Sequence, residues 1–286
     1  MYNLMLKNES KLKFLVLVAV LLSALTIMMK PLNYGIEFSG GTIIESSMSP
    51  DELSNDVFKS TGVSVDGSEH GSTIKISNNA KNKVDEIRTV IGKSELSQEV
   101  VGAALGHEMI KASVYSLIIA LLAMSAYLTI RFNVIMATSA MLALLQDILI
   151  AVGVLSLMGI EINTLIVGAL MTIIGYSIND SVVTLDKIRE LQRNGELTQE
   201  TPLYELVVGV IYKRTMITST STLVVLIALA VFGGNALFGF SIALSVGVIS
   251  GTLSSLVVVL GICGMVSKNR PAIIKFHKKP SMEGDV

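Results

Sequence analysis

Two acidic residues of this sequence lie within long apolar segments, where the chemistry of a carboxyl group differs most from its chemistry in water. Asp147 follows Gln146 near the middle of one segment, and Asp180 follows Asn179 in the next. A charged side chain at the centre of a membrane helix costs about 2.5–3.5 kcal/mol, and such residues mark ion paths and proton relays. Both carboxyls must therefore face protein or water, and both are candidates for gaining and losing charge.

A basic residue and a dense run of hydroxyl groups open another apolar segment. Arg214 follows Lys213 and precedes the hydroxyl residues Thr215, Thr218, Ser219, Thr220, Ser221 and Thr222. Arg214 either extends to the membrane surface, as basic residues near helix ends do, or has a role inside the membrane. The hydroxyls either bond back to carbonyls of their own helix or line a hydrated path. The sequence leaves both pairs of alternatives open.

Six apolar windows supply the elements that must position these residues. A membrane helix needs about 20 mostly apolar residues, and the windows that qualify are residues 14–29, 112–130, 134–158, 164–185, 215–232 and 238–266. The charged share of 16% is well below the roughly 25% of soluble domains, so most of the chain lies in lipid. The first window is either a signal peptide or an uncleaved anchor, and the lack of a clear cleavage site before Pro31 favours the anchor.

The segment between the first two windows has normal polar content and predicts a small domain. Strands are expected around residues 36–45 and 73–77, and helices are expected to begin at Ser49, with Leu53 and Val57 on one face, and to bury Ala80, Val84, Ile87 and Ile91. The predicted fold is a polytopic α-helical membrane protein with six transmembrane helices and a small extracytoplasmic α/β domain between the first and second. The predicted divisions are the N-terminus with the first helix (1–30), the α/β domain (31–108), a five-helix bundle (109–267) and a tail (268–286).

Lysine and arginine residues predict the orientation in the membrane. They concentrate at the N-terminus, in the connection around residues 186–214 and in the tail, whereas residues 159–163 and 233–237 hold none. The positive-inside rule therefore predicts that both termini are cytoplasmic, that the α/β domain is extracytoplasmic, and that the protein is a multi-pass protein of the cell inner membrane.

The composition argues against several classes of function. A net charge of −1 gives no basic face for nucleic acid. The sole cysteine is Cys263, and the three histidines (His70, His107 and His277) are far apart, so we expect neither a disulfide framework nor a metal site, and no cofactor. Because no nucleophile, base and orienting acid form a recognisable motif, we expect no enzymatic activity.

Three stretches carry a resemblance to a known family. They are GIEFSGG at residues 35–41, GYSINDSVV at 175–183 followed by DKIRE at 186–190, and the pair Gly247 and Gly251 in the last window. In this order they resemble the SecF family of export membrane proteins, which pair with SecD and belong to the resistance-nodulation-division superfamily. Four positions differ from the family: Glu37 replaces the usual Asp, Ala103 the customary proline, Gln146 the histidine before Asp147, and Lys187 the arginine of the DRIRE stretch. The motif glycines to which we assign a structural role are Gly35, Gly40, Gly41, Gly175, Gly247 and Gly251.

The resemblance implies a subunit of the Sec translocase accessory complex that uses the proton motive force to promote preprotein translocation and release. It implies a SecD-like partner, the SecY, SecE and SecG channel, preprotein substrate, and contacts with YajC and the YidC insertase. It places ion coupling on Asp180, Arg214, Asn179 and Asp147. A proton and a sodium ion both suit a carboxylate among hydroxyls. The alternatives are an exporter half of the resistance-nodulation-division type and a structural subunit that does not couple ions.

Overall fold

The computed structural model describes residues 9–49, 52–53, 62–68, 71–194 and 203–269. The elements in chain order are α1 (Glu9–Met29), α2 (Ile36–Ser39), β1 (Gly41–Ser46), β2 (Val63–Ser68), β3 (Gly71–Ser77), α3 (Val84–Ile91), β4 (Glu95–Val101), α4 (Ala103–Arg131), α5 (Val134–Met158), α6 (Thr164–Arg193), α7 (Leu203–Phe232), α8 (Gly234–Ser254) and α9 (Leu260–Asn269). In this part of the chain, six spans are long and apolar enough to cross a membrane, as the sequence predicted.

Three helices extend furthest beyond their apolar windows. α4 begins at Ala103 instead of residue 112, α6 continues past residue 185 to Arg193, and α7 begins at Leu203 instead of residue 215. An apolar window marks only the part of a helix that lies in hydrocarbon. The helix itself can continue beyond the window where its polar side chains find partners. Such a partner exists here, because Arg131 at the end of α4 pairs with Asp186 of α6 at 3.3 Å.

The sixth span is interrupted, which the sequence did not predict. A π-helical turn (Ser255–Val259) joins α8 to α9. Such a turn has one residue more than an α-helical turn, and π-turns occur frequently at functional sites. The sixth span is also the most enclosed of the six, with 72% of its apolar window buried, against 6% for α1 and α4. The bundle is therefore built around α6 and the sixth span.

The small domain, which we call the sheet domain (residues 36–101), is an antiparallel sheet with strand order β2-β3-β1-β4 in the described residues. Its core joins the sheet to α3 and contains Ile44, Ile74, Ile76, Ile87 and Ile91, each at most 3% exposed. The strand predicted at 73–77 is confirmed, and Ile87 and Ile91 of the predicted helix face are buried on α3. Val84 is only partly buried, and Ala80 is buried in the turn before α3 and not on the helix. The helix predicted to begin at Ser49 lies almost entirely outside the described residues. Leu53, which was predicted on its apolar face, is described and is buried in this core.

The prediction of a strand over residues 36–45 was wrong for its first half. Ile36 and Phe38 are buried on the short helix α2, and the strand begins only at Gly41. The change of direction occurs at Gly40, where φ is +76°, a conformation that favours glycine. At Gly41 the backbone lies so close to β3 that an added Cβ would be 2.3 Å from the carbonyl oxygen of Ile76. Two of the motif glycines thus have a structural role.

The segment that leads into the sheet domain (residues 33–35) is joined to the connection between α5 and α6 by main-chain hydrogen bonds. The amide of Gly35 donates to the carbonyl of Ile162 at 3.0 Å, and the amide of Ile162 donates to the carbonyl of Asn33 at 2.6 Å. The Lys75 ammonium of β3 pairs with Glu161 in the same connection at 3.0 Å. The domain is therefore attached at the point where α6 begins.

Glu37 makes the most direct link between the sheet domain and α6. Its Oε2 accepts a hydrogen bond from the amide of Thr164, the first residue of α6, at 2.9 Å, while Asn163 accepts from the amide of Ile166 at 3.0 Å. First-turn amides have no partner within their own helix, and a negative charge is favourable at that end of the helix dipole. The motif acid thus caps the helix that carries Asp180.

We predict that Glu37→Ala lowers the unfolding free energy by about 1 kcal/mol, because it removes a cap from α6. Thermal unfolding of the detergent-solubilised chain measures the effect. Glu108→Ala is the matched control, since Glu108 is exposed and pairs with Lys111 one turn away, and surface pairs contribute about 0–1 kcal/mol. Equal shifts in the two variants would contradict the assignment.

Candidate functional site

Asp147 lies at the centre of the bundle and is fully buried. Its Oδ2 accepts hydrogen bonds from the hydroxyls of Ser177 at 2.6 Å and Ser254 at 2.8 Å, and its Oδ1 accepts from Ser250 at 2.5 Å. An ionised carboxylate only accepts hydrogen bonds, and a hydroxyl can both donate and accept. The three serines therefore suit either charge state of the carboxyl. We call these four residues the Asp147 cluster.

The local sequence explains how three helices meet at this carboxyl. Ser250 and Ser254 are four residues apart on the sixth span, so both face α5. Gly251 lies between them, and an added Cβ would be 3.3 Å from the Cβ of Ser177 and 3.6 Å from Oδ2 of Asp147. Gly247, one turn earlier, faces α6, where an added Cβ would be 2.4 Å from Ile173. The two motif glycines allow the close approach that the cluster requires.

Asp180 lies on α6 one turn beyond Ser177 and is only 5% exposed. Its Oδ2 is buried and has no hydrogen-bond partner among the described residues. The charges that act on this carboxyl include the guanidinium of Arg214 on α7, and Asp180 in turn acts on Asp147. The two carboxyls that the sequence singled out are thus electrostatically coupled but have different surroundings.

Arg214 is deep within its helix, although the sequence placed it at the start of a window. At 1.5 Å per residue, it lies about 16 Å from the beginning of α7 at Leu203. Asp180 lies about 20 Å from the end of α6 at Arg193 by the same measure. Since α6 and α7 run in opposite directions, the two residues lie at similar depth. The side chain of Arg214 is on the outer surface of the chain.

The hydroxyls that follow Arg214 mostly bond to their own helix. Thr218, Ser221 and Thr222 donate to main-chain carbonyls three or four residues earlier, at 2.8–3.2 Å. Ser219 instead pairs with Thr252 of the sixth span at 2.5 Å. The first of the two alternatives, back-bonding, therefore applies to Thr218, Ser221 and Thr222.

One face of α6 exposes small and polar side chains at the level of the site. Gly168, Thr172, Gly175 and Asn179 follow one another at spacings of three or four residues, and all are exposed in this chain. An added Cβ at Gly168 or Gly175 would meet no atom within 4 Å. We call these four residues the α6 polar stripe. Asn179, although next to Asp180 in sequence, points away from the bundle.

Sequence reasoning found the carboxyls but missed the three serines of the Asp147 cluster. The signal for them was weak, since serine is common and only the four-residue spacing of Ser250 and Ser254 hinted at a shared face. Gln146, the residue that differs from the family pattern, is partly buried. In the described residues, no group of histidine, cysteine and acidic side chains has the arrangement of a metal site.

Comparisons with known proteins agree with this architecture. The family described as protein export membrane protein SecD/SecF, C-terminal, matches residues 80–269, and the SecD/SecF GG motif matches residues 27–45. Protein translocase subunit SecF of Prochlorococcus marinus is 37% identical over 197 residues, which cover 66% of this chain and 61% of that protein. Protein translocase subunit SecF of Escherichia coli O157:H7 is 33% identical over 269 residues, which cover 84% of this chain and 80% of that protein.

The fold is similar to a solved structure as well. The crystal structure of SecDF, a translocon-associated membrane protein from Thermus thermophilus, matches with a TM-score of 0.76 and 29% identity. The match covers 92% of this chain but only 38% of the SecDF chain, so this chain is similar to less than half of that protein. Family match, relatives and fold together lead to one conclusion: the chain belongs to the SecF family of protein translocase subunits.

Proposed function

We propose that this chain is a non-catalytic subunit of a protein translocase and uses the transmembrane ion gradient to promote preprotein export. The relatives are named protein translocase subunits, and the similar SecDF structure is described as translocon-associated. The observation that carries the ion coupling is the carboxyl of Asp180, which is buried within an apolar span with one oxygen unpaired in the described residues. The free energy of a carboxyl in this position depends strongly on whether it is protonated or ionised.

The proposed cycle is a change of charge at Asp180. The unpaired oxygen makes the ionised form costly, because nothing replaces its lost hydration. Approach of the Arg214 guanidinium would compensate that charge, and its withdrawal would favour uptake of a proton. The two helices that carry these groups would thus change their packing when the carboxyl changes state.

The available energy is sufficient for such a change. Moving one charge across 100 mV releases about 2.3 kcal/mol, and one unit of pH difference adds about 1.4 kcal/mol. Together they bias a two-state equilibrium by several hundredfold. A bias of this size would drive a packed helix pair from one arrangement to another.

Movement of α6 would reach the sheet domain through the contacts at its first residue. Glu37 and the main-chain bonds between Gly35 and Ile162 connect the domain to the start of α6. An open cleft of about 1050 Å³ lies between the domain and the ends of the membrane helices, which leaves room for the domain to tilt. We propose that this movement acts on preprotein emerging on that side of the membrane.

The α6 polar stripe supports a second six-helix subunit as partner. Glycine, threonine and asparagine within an apolar span gain little from contact with lipid, whereas small residues allow close helix approach and polar ones bond across helices. The SecDF chain is more than twice as long as the segment matched here. We propose that a SecD-like subunit covers this stripe and brings the site its remaining partners, including one for Asn179.

Further partners and the orientation belong to the same proposal. Arg131 and Arg189 lie at the end of the bundle opposite to the sheet domain, where both approach Asp186. Basic residues on that side favour cytoplasmic termini in the cell inner membrane. The SecY, SecE and SecG channel, YajC and the YidC insertase are the proposed neighbours of the complex.

Asp180→Asn and Arg214→Ala are predicted to reduce gradient-dependent stimulation of preprotein export at least tenfold, because they remove the changing charge or its partner. Export into inverted membrane vesicles, with and without an ion gradient, measures the effect. Asp186→Asn is the matched control, since this acid lies on the same helix but is half-exposed and paired with Arg131. Undiminished stimulation in Asp180→Asn would contradict coupling and favour a purely structural subunit.

Gly175→Leu is predicted to reduce co-purification of the SecD-like subunit severely, because a large side chain would occupy the surface that the partner helix needs. The isolated chain should tolerate the change, since the position is open. Ala126→Leu on α4, which is also exposed, is the control and should leave the complex intact. Equal recovery of the partner with both variants would exclude the α6 polar stripe as the interface.

A further inference from the structure

We propose that the Asp147 cluster is a binding site for a monovalent hard cation such as sodium, separate from the proton-accepting carboxyl of Asp180. Asp147, Ser177, Ser250 and Ser254 supply two carboxylate and three hydroxyl oxygens from three helices. The use of this cation as a coupling ion rests on the proposed function. Binding of the cation does not.

The first argument is charge compensation. Asp147 is fully buried, and the groups that hydrogen-bond its carboxyl are uncharged hydroxyls. The charge that acts on it is that of Asp180, which has the same sign. A buried charge is normally paired, because its desolvation is otherwise too costly. The described surroundings of Asp147 contain donors of hydrogen bonds but no cation to balance an ionised carboxylate.

The size of the charge points to a monovalent ion. Arg214 provides one positive charge, and it acts on Asp180, which leaves Asp147 as one uncompensated negative charge in the cluster. A monovalent cation balances that charge. A divalent cation would leave a net positive charge in a low-dielectric environment, which carries a similar cost.

The donor atoms point to a hard ion. Carboxylate and hydroxyl oxygens bind hard cations, whereas transition metals prefer imidazole and thiolate. Each serine hydroxyl now donates to the carboxylate, but it also has lone pairs that can turn toward a cation. The five oxygens converge from α5, α6 and α8, so a cation among them would hold three spans together.

The helix geometry beside the cluster provides an independent indication of a site. The π-helical turn begins at Ser255, directly after Ser254, and such turns occur frequently where a helix carries a function. Gly251 adds no side chain between Ser250 and Ser254 and borders Oδ2 of Asp147 at 3.6 Å from its added Cβ position. The cluster therefore has both a widened turn and a glycine at the position where a side chain would press against Ser177 and the carboxylate of Asp147.

The test uses the purified full chain in detergent and its sole cysteine. Cys263 is fully buried, so a thiol-reactive fluorophore reports unfolding as the thiol becomes exposed. Unfolding temperatures are compared in NaCl, LiCl, KCl and choline chloride at equal ionic strength. We expect NaCl and LiCl to raise the unfolding temperature above that in choline chloride, with a smaller effect of the larger potassium ion, because a cation that binds only the folded chain stabilises it.

The variants locate the effect. Asp147→Asn should abolish the sodium stabilisation, whereas Asp180→Asn should keep it. Ser250→Ala should weaken the apparent sodium affinity about tenfold, the size expected for loss of one ligand to a charged group. Ser241→Ala is the matched control, because Ser241 is also buried on α8 but donates to its own helix at Leu237. If Asp147→Asn does not fold, the site is tested by comparing the sodium stabilisation of Ser250→Ala with that of Ser241→Ala. The site predicts a weaker sodium effect in Ser250→Ala only.

Two results would overturn the site: equal unfolding temperatures of the unaltered chain in sodium and choline, or a sodium effect that persists in Asp147→Asn and Ser250→Ala. Neither result affects the proposed function, because gradient-dependent export that responds to Asp180→Asn would remain. Conversely, the chain could show sodium stabilisation that depends on Asp147 but no gradient-dependent export. That result would support the sodium site and contradict its role in coupling.

Discussion

The structure depends on the cost of placing carboxyl groups in the apolar interior of a membrane bundle. Asp147 and Asp180 are both buried, yet the protein deals with them differently: three hydroxyls satisfy Asp147, whereas one oxygen of Asp180 has no partner in the described residues. The first arrangement satisfies the hydrogen bonds of the carboxyl in either charge state. The second leaves a charge whose free energy changes strongly with protonation, which is the property that an ion-coupled device needs.

The rest of the bundle follows from the need to enclose these two groups. α6 and the sixth span occupy the centre, and Gly247 and Gly251 bring them close enough for serine hydroxyls to reach Asp147. The far end of α6 is capped by Glu37 from the sheet domain. One helix thus carries the buried carboxyl of Asp180 near its middle and the contact to the sheet domain at its first residue. In the proposed function, this helix would transmit a change at Asp180 to the domain.

Much of this could be predicted from sequence because membrane helices are specified locally. Long apolar windows gave six spans, and acids within them gave Asp147 and Asp180. The helix ends were less accurate, since α7 begins a full three turns before its window. The partners of Asp147 could not be predicted, because Ser177 and Ser250 are brought together only by the packing of distant helices. The strands β2 and β4 were missed for a different reason: Asp66 and Gly67 interrupt the first, and the exposed residues of the second show no alternation of apolar and polar side chains.

The central claim is that the carboxyl of Asp180 takes up and releases a proton inside the membrane. Infrared difference spectroscopy of the protein reconstituted with its partner measures this directly, since only a protonated carboxyl gives the carboxylic acid C=O stretch. The account predicts a carboxylic acid band that disappears when the pH is raised, persists in Asp147→Asn and is missing in Asp180→Asn. A spectrum in which the band is unchanged by Asp180→Asn would contradict it.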